Sequence, residues 1–330
     1  LTTLQKLKEE EKYYQILNGM NYNHKLLYVA IILVIGCNQQ SKTSLVKTSA
    51  TTVPHLIEAS EVLDSNEGDD LVFIDFRKPA VYTEGHIPDA LNIWRTDIQD
   101  NSLPVKGIRS SKKALESFLG SLGIRNNQKL VIYDDRGSPD AARLWWLLRL
   151  YGFEEAHLLN GGLHAWETAG GVVDTLSSDK PAAEFAFTGN SNSSMVIDKD
   201  RLLQWLHAEE KSIFIVDART KEEYEGASLK DGALRPGHIP GSIHIDWAEA
   251  IDYKGTKKFK GVEDLKTIYN KIGATALDTI VVYCHSGVRS SHTTFVLTEL
   301  LGYKNVINYD GSWIEWSSNK ELPIENKIHL

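Results

Sequence analysis

The feature that most constrains this chain is that its body is written twice. Val72-Phe73-Ile74-Asp75-Phe76-Arg77 returns as Ile213-Phe214-Ile215-Val216-Asp217-Ala218-Arg219, each an apolar run closing in Asp-x-Arg. Glu84-Gly85-His86-Ile87-Pro88 returns as Pro236-Gly237-His238-Ile239-Pro240, and Leu130-Val131-Ile132-Tyr133-Asp134 as Ile280-Val281-Val282-Tyr283-Cys284. Gly161 and Trp166 find partners in Gly311 and Trp316. From Tyr133 onward the offset is 150 (283 − 133), but at the Asp-x-Arg pair it is 142 (217 − 75). The second copy therefore carries extra residues between Arg219 and Gly237, and 225–234 reads as an inserted loop. Self-similarity on this scale means one domain repeated. Each copy spans about 120 residues, enough for a core of its own.

Within each copy, short apolar runs alternate with helical patterns. Residues 131–133 and 280–283 lack polar alternation, as expected of parallel strands covered on both faces. Helices are expected over 141–150 and 291–301, closed by Gly152 and Gly302. Strand, helix and strand in this order predict an α/β fold with a mainly parallel sheet flanked by helices. The boundaries follow: a first domain over 54–173, a Ser/Asp/Asn/Pro-rich linker over 174–195, a second domain over 196–320 and a tail over 321–330. His86 and His238 occur in both copies and read as structural residues at a turn. Trp145, Trp146, Trp166, Trp313 and Trp316 read as core or domain-interface residues.

Ahead of the first domain, Met20 precedes a short stretch containing His24 and Lys25, an apolar run over 26–35, and Gly36-Cys37. This has the order of a secretory signal, and the run is too short to span a bilayer as a helix. Val34-Ile35-Gly36-Cys37 resembles the bacterial lipoprotein box, in which the cysteine is lipidated. Residues 1–37 are read as a leader and signal with Met20 as the start, and the polar stretch 38–53 as a tether. Lipidation at Cys37 would place the protein in the cell envelope, anchored to the membrane on its periplasmic or surface side. The alternative is an uncleaved anchor, or an apolar helix packed on the domain.

Cys37 and Cys284 are the only two cysteines, too few for a disulfide scaffold or a CxxC-type zinc site. No metal or cofactor is expected. The formal charge of −8 without a basic stripe argues against nucleic acid as a partner.

Cys284 directly follows a strand and opens the loop Cys284-His285-Ser286-Gly287-Val288-Arg289, with a helix expected from near Ser290. Ligands in such sheets bind beyond the carboxyl ends of the strands. The loop can curl so that the N–H groups of His285, Ser286, Gly287, Val288 and Arg289 converge on the sulfur, and the helix N-terminus adds positive partial charge. Both favour thiolate, the nucleophilic form. Arg289 supplies a permanent charge able to hold an oxyanion. Gly287 permits the tight curvature. The alternative for Cys284 is a small buried hydrophobe. His285 is taken as a loop residue lining the site and not as a base; its alternative is a solvent-facing position.

With these pieces in order, residues 53–320 resemble a tandem rhodanese, the thiosulfate sulfurtransferase family. The resemblance rests on Asp-x-Arg at 217–219, Arg235-Pro236-Gly237-His238-Ile239-Pro240-Gly241, the loop 284–289, and Asn308-Tyr309-Asp310-Gly311-Ser312-Trp313. It implies two rhodanese-like domains, the second catalytic and the first not, since Asp134 stands where Cys284 stands. It implies that Cys284 takes the outer sulfur of thiosulfate as a persulfide, releases sulfite, and passes the sulfur to cyanide or a thiol. It places an arginine near the sulfur, here Arg219, whose alternative is an internal salt bridge, for instance to Glu223. Arg235 is placed at the site mouth. Mercaptopyruvate sulfurtransferases share the fold but usually have Cys-Gly-Ser-Gly-Val-Thr and a further arginine where Glu223 stands. Rhodanese-related phosphatases need Cys-x5-Arg, one residue longer than the loop here. A non-enzymatic docking module in the envelope is the remaining alternative. A monomer is favoured, since the fused repeat supplies the two-domain contact by itself.

Overall fold

The computed structural model describes residues 55–326 except 66, 67 and 209–212. The leader, the tether and Cys37 lie outside the described residues, as do the last four residues of the tail. In the first copy the strands are β1 (Leu56–Ile57), β2 (Leu71–Asp75), β3 (Leu91–Asn92), β4 (Lys129–Tyr133) and β5 (Ala156–Leu159). They form one parallel sheet in the order β1-β5-β4-β2-β3. Its helices are α1 (Ala59–Leu63), α2 (Pro79–Tyr82), α3 (Lys112–Ser121), α4 (Pro139–Leu150) and α5 (Gly162–Thr168).

The second copy repeats the plan with β6 (Val196–Ile197), β7 (Ile213–Asp217), β8 (Ile243–His244), β9 (Thr279–Tyr283) and β10 (Asn305–Tyr309). These are ordered β6-β10-β9-β7-β8, again all parallel. Helices α6 (Lys199–His207), α7 (Lys221–Glu225), α8 (Val262–Tyr269), α9 (Val288–Phe295) and α10 (Ser312–Ser318) flank it. The predicted doubly covered parallel sheet is therefore present twice. In the middle strands β4 and β9 every residue after the first is buried, which is why their sequences carry no polar alternation.

Two boundaries differ from the sequence expectation. Helix α9 begins at Val288, two residues ahead of Ser290, and passes into a wider π turn over Val296–Leu300. Arg289 therefore lies on the first helical turn. The stretch 174–195 is not a free linker. Phe185 and Phe187 are buried in the first core, and the Ala183 N–H donates to the Gly120 carbonyl. Two aromatics inside a polar composition turn the linker into a strap.

The two copies meet through the helices that follow the equivalent loops. Almost all of α4 is buried, so its sequence shows no polar stripe. Its partner α9 presents Ser290, Ser291, Thr293 and Thr294, all buried, and these small residues admit close approach. Trp145 meets Phe295 edge-on at 4.7 Å, so this tryptophan belongs to the interface. Asp310, just beyond β10, bonds Arg143 of α4 at 2.6 Å and Arg109 at 2.9 Å. Burial pushes the Asp310 carboxyl up, but the two guanidiniums outweigh it and hold the carboxyl below its ordinary range.

Removing one member of such a buried group strands the others. Asp310→Ala is expected to cost about 3–5 kcal/mol in urea unfolding at neutral pH. Because the folded pKa is depressed, the contribution is complete above the ordinary carboxylate range and fades as pH falls through the folded value. The gap between wild type and variant should narrow in acid; a gap constant with pH would contradict this account.

Candidate active site

A loop that aims its N–H groups inward must satisfy its carbonyls elsewhere. After Cys284 this is done by named partners. The N–H groups of Trp313 and Ile314, in the first turn of α10, donate to the Cys284 and His285 carbonyls, both at 3.0 Å. The Gly287 carbonyl accepts from Ser291 Oγ at 2.7 Å and from Arg143 at 3.4 Å. Ser312 Oγ accepts the N–H groups of Cys284 (3.2 Å) and Gly287 (3.1 Å) and donates to the Tyr309 carbonyl. Gly287 caps α9 with φ of 79°, a left-handed conformation that suits glycine.

Cys284 is 1% exposed at the bottom of this loop. Burial pushes its thiol up. The Arg289 charge, the Ser290 hydroxyl and the N–H groups of Ser290 and Ser286 push it down and prevail, so the thiol ionises below its ordinary range. The first copy supplies an internal control. There Asp134 occupies the equivalent place, and its carboxylate accepts four N–H bonds: from Arg136 at 2.9 Å, Ser138 at 2.8 Å, Asp140 at 2.9 Å and Ala141 at 3.2 Å. Positions +2 and +6 of the loop thus face the first residue in both copies. The loop fold is an anion cradle, filled in one copy by its own carboxylate. That carboxyl is pushed up to about 6 by burial and by Asp140, against the N–H groups.

The arginines are arranged differently from the sequence reading. Arg219 is paired with Asp217 and not with Glu223. Its Nε lies 3.0 Å from both oxygens of Asp217, and its Nη2 reaches Asp217 at 2.6 Å and the Gly237 carbonyl at 2.7 Å. It is fully buried, 4.4 Å over the Trp313 ring. Arg77 repeats these bonds with Asp75 and the Gly85 carbonyl in the copy without a nucleophile, so the Asp-x-Arg pair is an element of the fold. Arg289 does lie beside the sulfur, but its fork is taken by Glu223 at 2.5 and 2.9 Å. Burial pushes Glu223 up, yet Arg289 holds it down, at about 2. Glu223 also closes a capping box with Thr220 at the start of α7, which fixes its position.

His285 is buried, not solvent-facing, with Nε2 3.0 Å from the Asp231 carbonyl. A carbonyl only accepts, so Nε2 carries the proton. Burial and then Lys230 push the ring down to about 4, and it stays neutral near pH 7. Ser286 and Val288 line the pocket outside the loop, a cavity of ≈ 310 Å³ that also meets Arg95, Lys106, Gly107, Arg143, Lys230 and Asp231. Sequence reasoning missed Lys230 and Asp231 as site residues, although it marked 225–234 as a loop present in one copy. It also missed Ser312, which the repeat signalled only as part of a motif. Arg235 is not at the mouth: its guanidinium donates to the carbonyls of Trp316, Ser317, Asn319 and Leu322 around the end of α10. His238 stacks on Tyr224 with Nδ1 against the Tyr224 carbonyl, and His86 does the same with Tyr82.

The Arg289–Glu223 pair makes a sign prediction. Glu223→Gln keeps the capping box but leaves Arg289 uncompensated, so the pH midpoint of Cys284 alkylation should move down. Arg289→Gln should move it up. Shifts of the same sign in both variants would contradict the assignment.

Comparison with known proteins agrees with the repeat. The model of the rhodanese-like domain matches residues 58–169 and again 198–319. A Mycobacterium leprae protein provisionally named a thiosulfate sulfurtransferase is 35% identical over 278 residues, 82% of this chain and 97% of that protein. The sulfur carrier protein TtuD of Thermus thermophilus is 36% identical over 251 residues, 74% of this chain and 86% of TtuD. Among solved structures, the anaerobic ergothioneine biosynthesis enzyme of Chlorobium limicola superimposes with a TM-score of 0.73 at 24% identity. The match covers 83% of this chain and 71% of that one, a likeness of fold. With its two matched domains and these relatives, the chain belongs to the rhodanese-like sulfurtransferase family.

Proposed function

We propose that the protein is a thiosulfate sulfurtransferase working through a persulfide on Cys284. The observation that carries this reading is the N–H cradle around a thiol that ionises early. The Cys284 thiolate attacks the outer sulfur of thiosulfate; the bond between the two sulfurs breaks, and sulfite leaves with its electron pair. The terminal persulfide sulfur keeps the negative charge, and the cradle accommodates it as it accommodated the thiolate. A thiol or cyanide then attacks that sulfur and regenerates the thiolate, giving ping-pong kinetics. No general base is required in this reading, because Arg289 and the loop N–H groups favour the thiolate over the thiol. This agrees with a neutral His285 whose Nε2 proton is committed to Asp231.

Thiosulfate is preferred over mercaptopyruvate because no free guanidinium stands at position 223. The carboxylate there does not itself repel a pyruvate, since Arg289 neutralises it; what is missing is a donor for the pyruvate carboxylate. A phosphatase reading is disfavoured by the same pair, which takes the arginine a phosphate would need. The chain acts as a monomer in this reading, with both copies supplied by one polypeptide.

We also propose that Cys37 is lipidated and tethers the enzyme in the cell envelope, a reading that rests on residues 20–53 of the sequence. In bacterial cells the full chain should take up labelled palmitate, and Cys37→Ser should abolish uptake. Labelling that persists in the variant would remove the anchor.

Incubation of the protein with thiosulfate should add the mass of one sulfur atom to the wild type and none to Cys284→Ser. Mercaptopyruvate in parallel should load it less. Folded protein that gains no sulfur from either donor would leave a docking module as the better account.

A further inference from the structure

If the donor is an oxyanion, something must hold its charged end, and the arginines around Cys284 are already committed. Arg289 is paired with Glu223, Arg219 with Asp217, Arg143 and Arg109 with Asp310, and Arg95 with Asp140. Each guanidinium is already held by a carboxylate, Asp310 serving both Arg143 and Arg109 and Asp140 serving both Arg95 and Arg136. Two other cations line the pocket beside the loop, Lys230 and Lys106. Among the described residues neither forms an ion pair. One carboxylate, Asp231, lines the same pocket against them.

Lys230 sits in the field of the site. The residue is exposed overall, but desolvation at the pocket, then Arg289 and Arg95, push its ammonium down, while Glu223 and Cys284 pull it up. A lysine crowded by other cations gains when an anion enters among them. Its loop is the insertion at 225–234, which the copy lacking a nucleophile also lacks. The Asp231 carbonyl, next in the chain, fastens the loop to His285. Lys106 comes from the other copy. Its neighbour Gly107 lies so close to the catalytic loop that a Cβ there would stand 3.1 Å from Ser286, and the Gly107 carbonyl accepts from Arg143 at 2.9 Å.

We propose that Lys230 and Lys106 clamp the oxyanion end of the sulfur donor above Cys284, so that the non-catalytic copy supplies part of the donor site. The proposal rests on the sulfurtransferase reading for the identity of the donor, but the clamp itself is testable without it. Iodoacetate and iodoacetamide alkylate the same thiolate and differ in charge. The ratio of their rates cancels any change in the ionisation of Cys284 and reports only on charge recognition. Lys230→Gln is expected to lower the iodoacetate-to-iodoacetamide ratio on the order of tenfold, as loss of one nearby unit charge implies. Lys106→Gln should act in the same direction, and Lys230→Arg should restore the ratio. In sulfur transfer from thiosulfate, Lys230→Gln should raise KM by a similar factor with a smaller effect on kcat. An unchanged ratio in both glutamine variants would overturn the clamp, as would an unchanged KM in a protein that does transfer sulfur. A lowered ratio in a protein that takes no sulfur from thiosulfate would sustain the clamp and fail the thiosulfate reading instead.

Discussion

A loop can aim several N–H groups at one atom only if its carbonyls, which then point outward, find donors elsewhere. That requirement organises much of this molecule. The first turn of α10 bonds the Cys284 and His285 carbonyls, Ser291 and Arg143 bond the Gly287 carbonyl, and Ser312 ties the two ends of the loop together. These partners come from α9, from α10 and from α4 of the other copy. The sheet contributes by ending β9 at Tyr283, so that the cysteine is the first residue free of the ladder. A buried donor or acceptor left alone costs on the order of 1–3 kcal/mol. The cradle is therefore held in place by the energetic penalty of its alternatives, and it presents fixed dipoles to an ion without having to reorganise.

The duplication shows what in the cradle is fold and what is chemistry. Asp134 receives N–H bonds from two loop positions, +2 and +6, that also face Cys284, and Arg77 repeats the bonds of Arg219. These features persist without a nucleophile, so they belong to the architecture. The sulfur, the Arg289–Glu223 pair and the inserted loop with Lys230 occur in the second copy and, among the described residues, have no counterpart in the first. The first copy contributes to the site although it carries Asp134 in place of a cysteine. Through α4 it lends Arg143 to both Asp310 and the Gly287 carbonyl. The interface and the active-site loop are thus supported by one guanidinium.

What the sequence made legible follows from how local each interaction is. The repeat, the parallel sheets and the position of Cys284 could be read because strand composition, loop length and helix start lie within a few residues of one another. The Asp-x-Arg pairs are equally local, and their recurrence beside Asp134 already hinted at an architectural role for Arg219. The partner of Arg289 is Glu223, 66 residues away, and only the folded chain brings them together. The strap at 174–195 was hidden because composition averaged Phe185 and Phe187 into a polar stretch. Lys230 was hidden for a different reason. An insertion announces itself by an offset, but nothing in the offset says which way the loop folds or which of its side chains reaches the site.

The Arg289–Glu223 pair also bears on how strongly the cysteine is activated. An unopposed guanidinium beside the sulfur would deepen the ionisation of the thiol, but a thiolate of very low pKa is a poorer nucleophile. The best attacking thiol has a pKa near the ambient pH. Glu223 is ionised well below neutral pH and offsets part of the Arg289 field at the sulfur, while the Ser290 hydroxyl and the N–H groups act at short range. Charge and dipole then carry different duties. The ion pair tempers the reactivity of the resting thiolate, and the N–H groups follow the negative charge when it moves one atom outward onto the terminal sulfur. A cradle built from a bare cation would hold the starting thiolate and the persulfide less evenly, because a point charge favours one position, whereas several converging N–H groups span both.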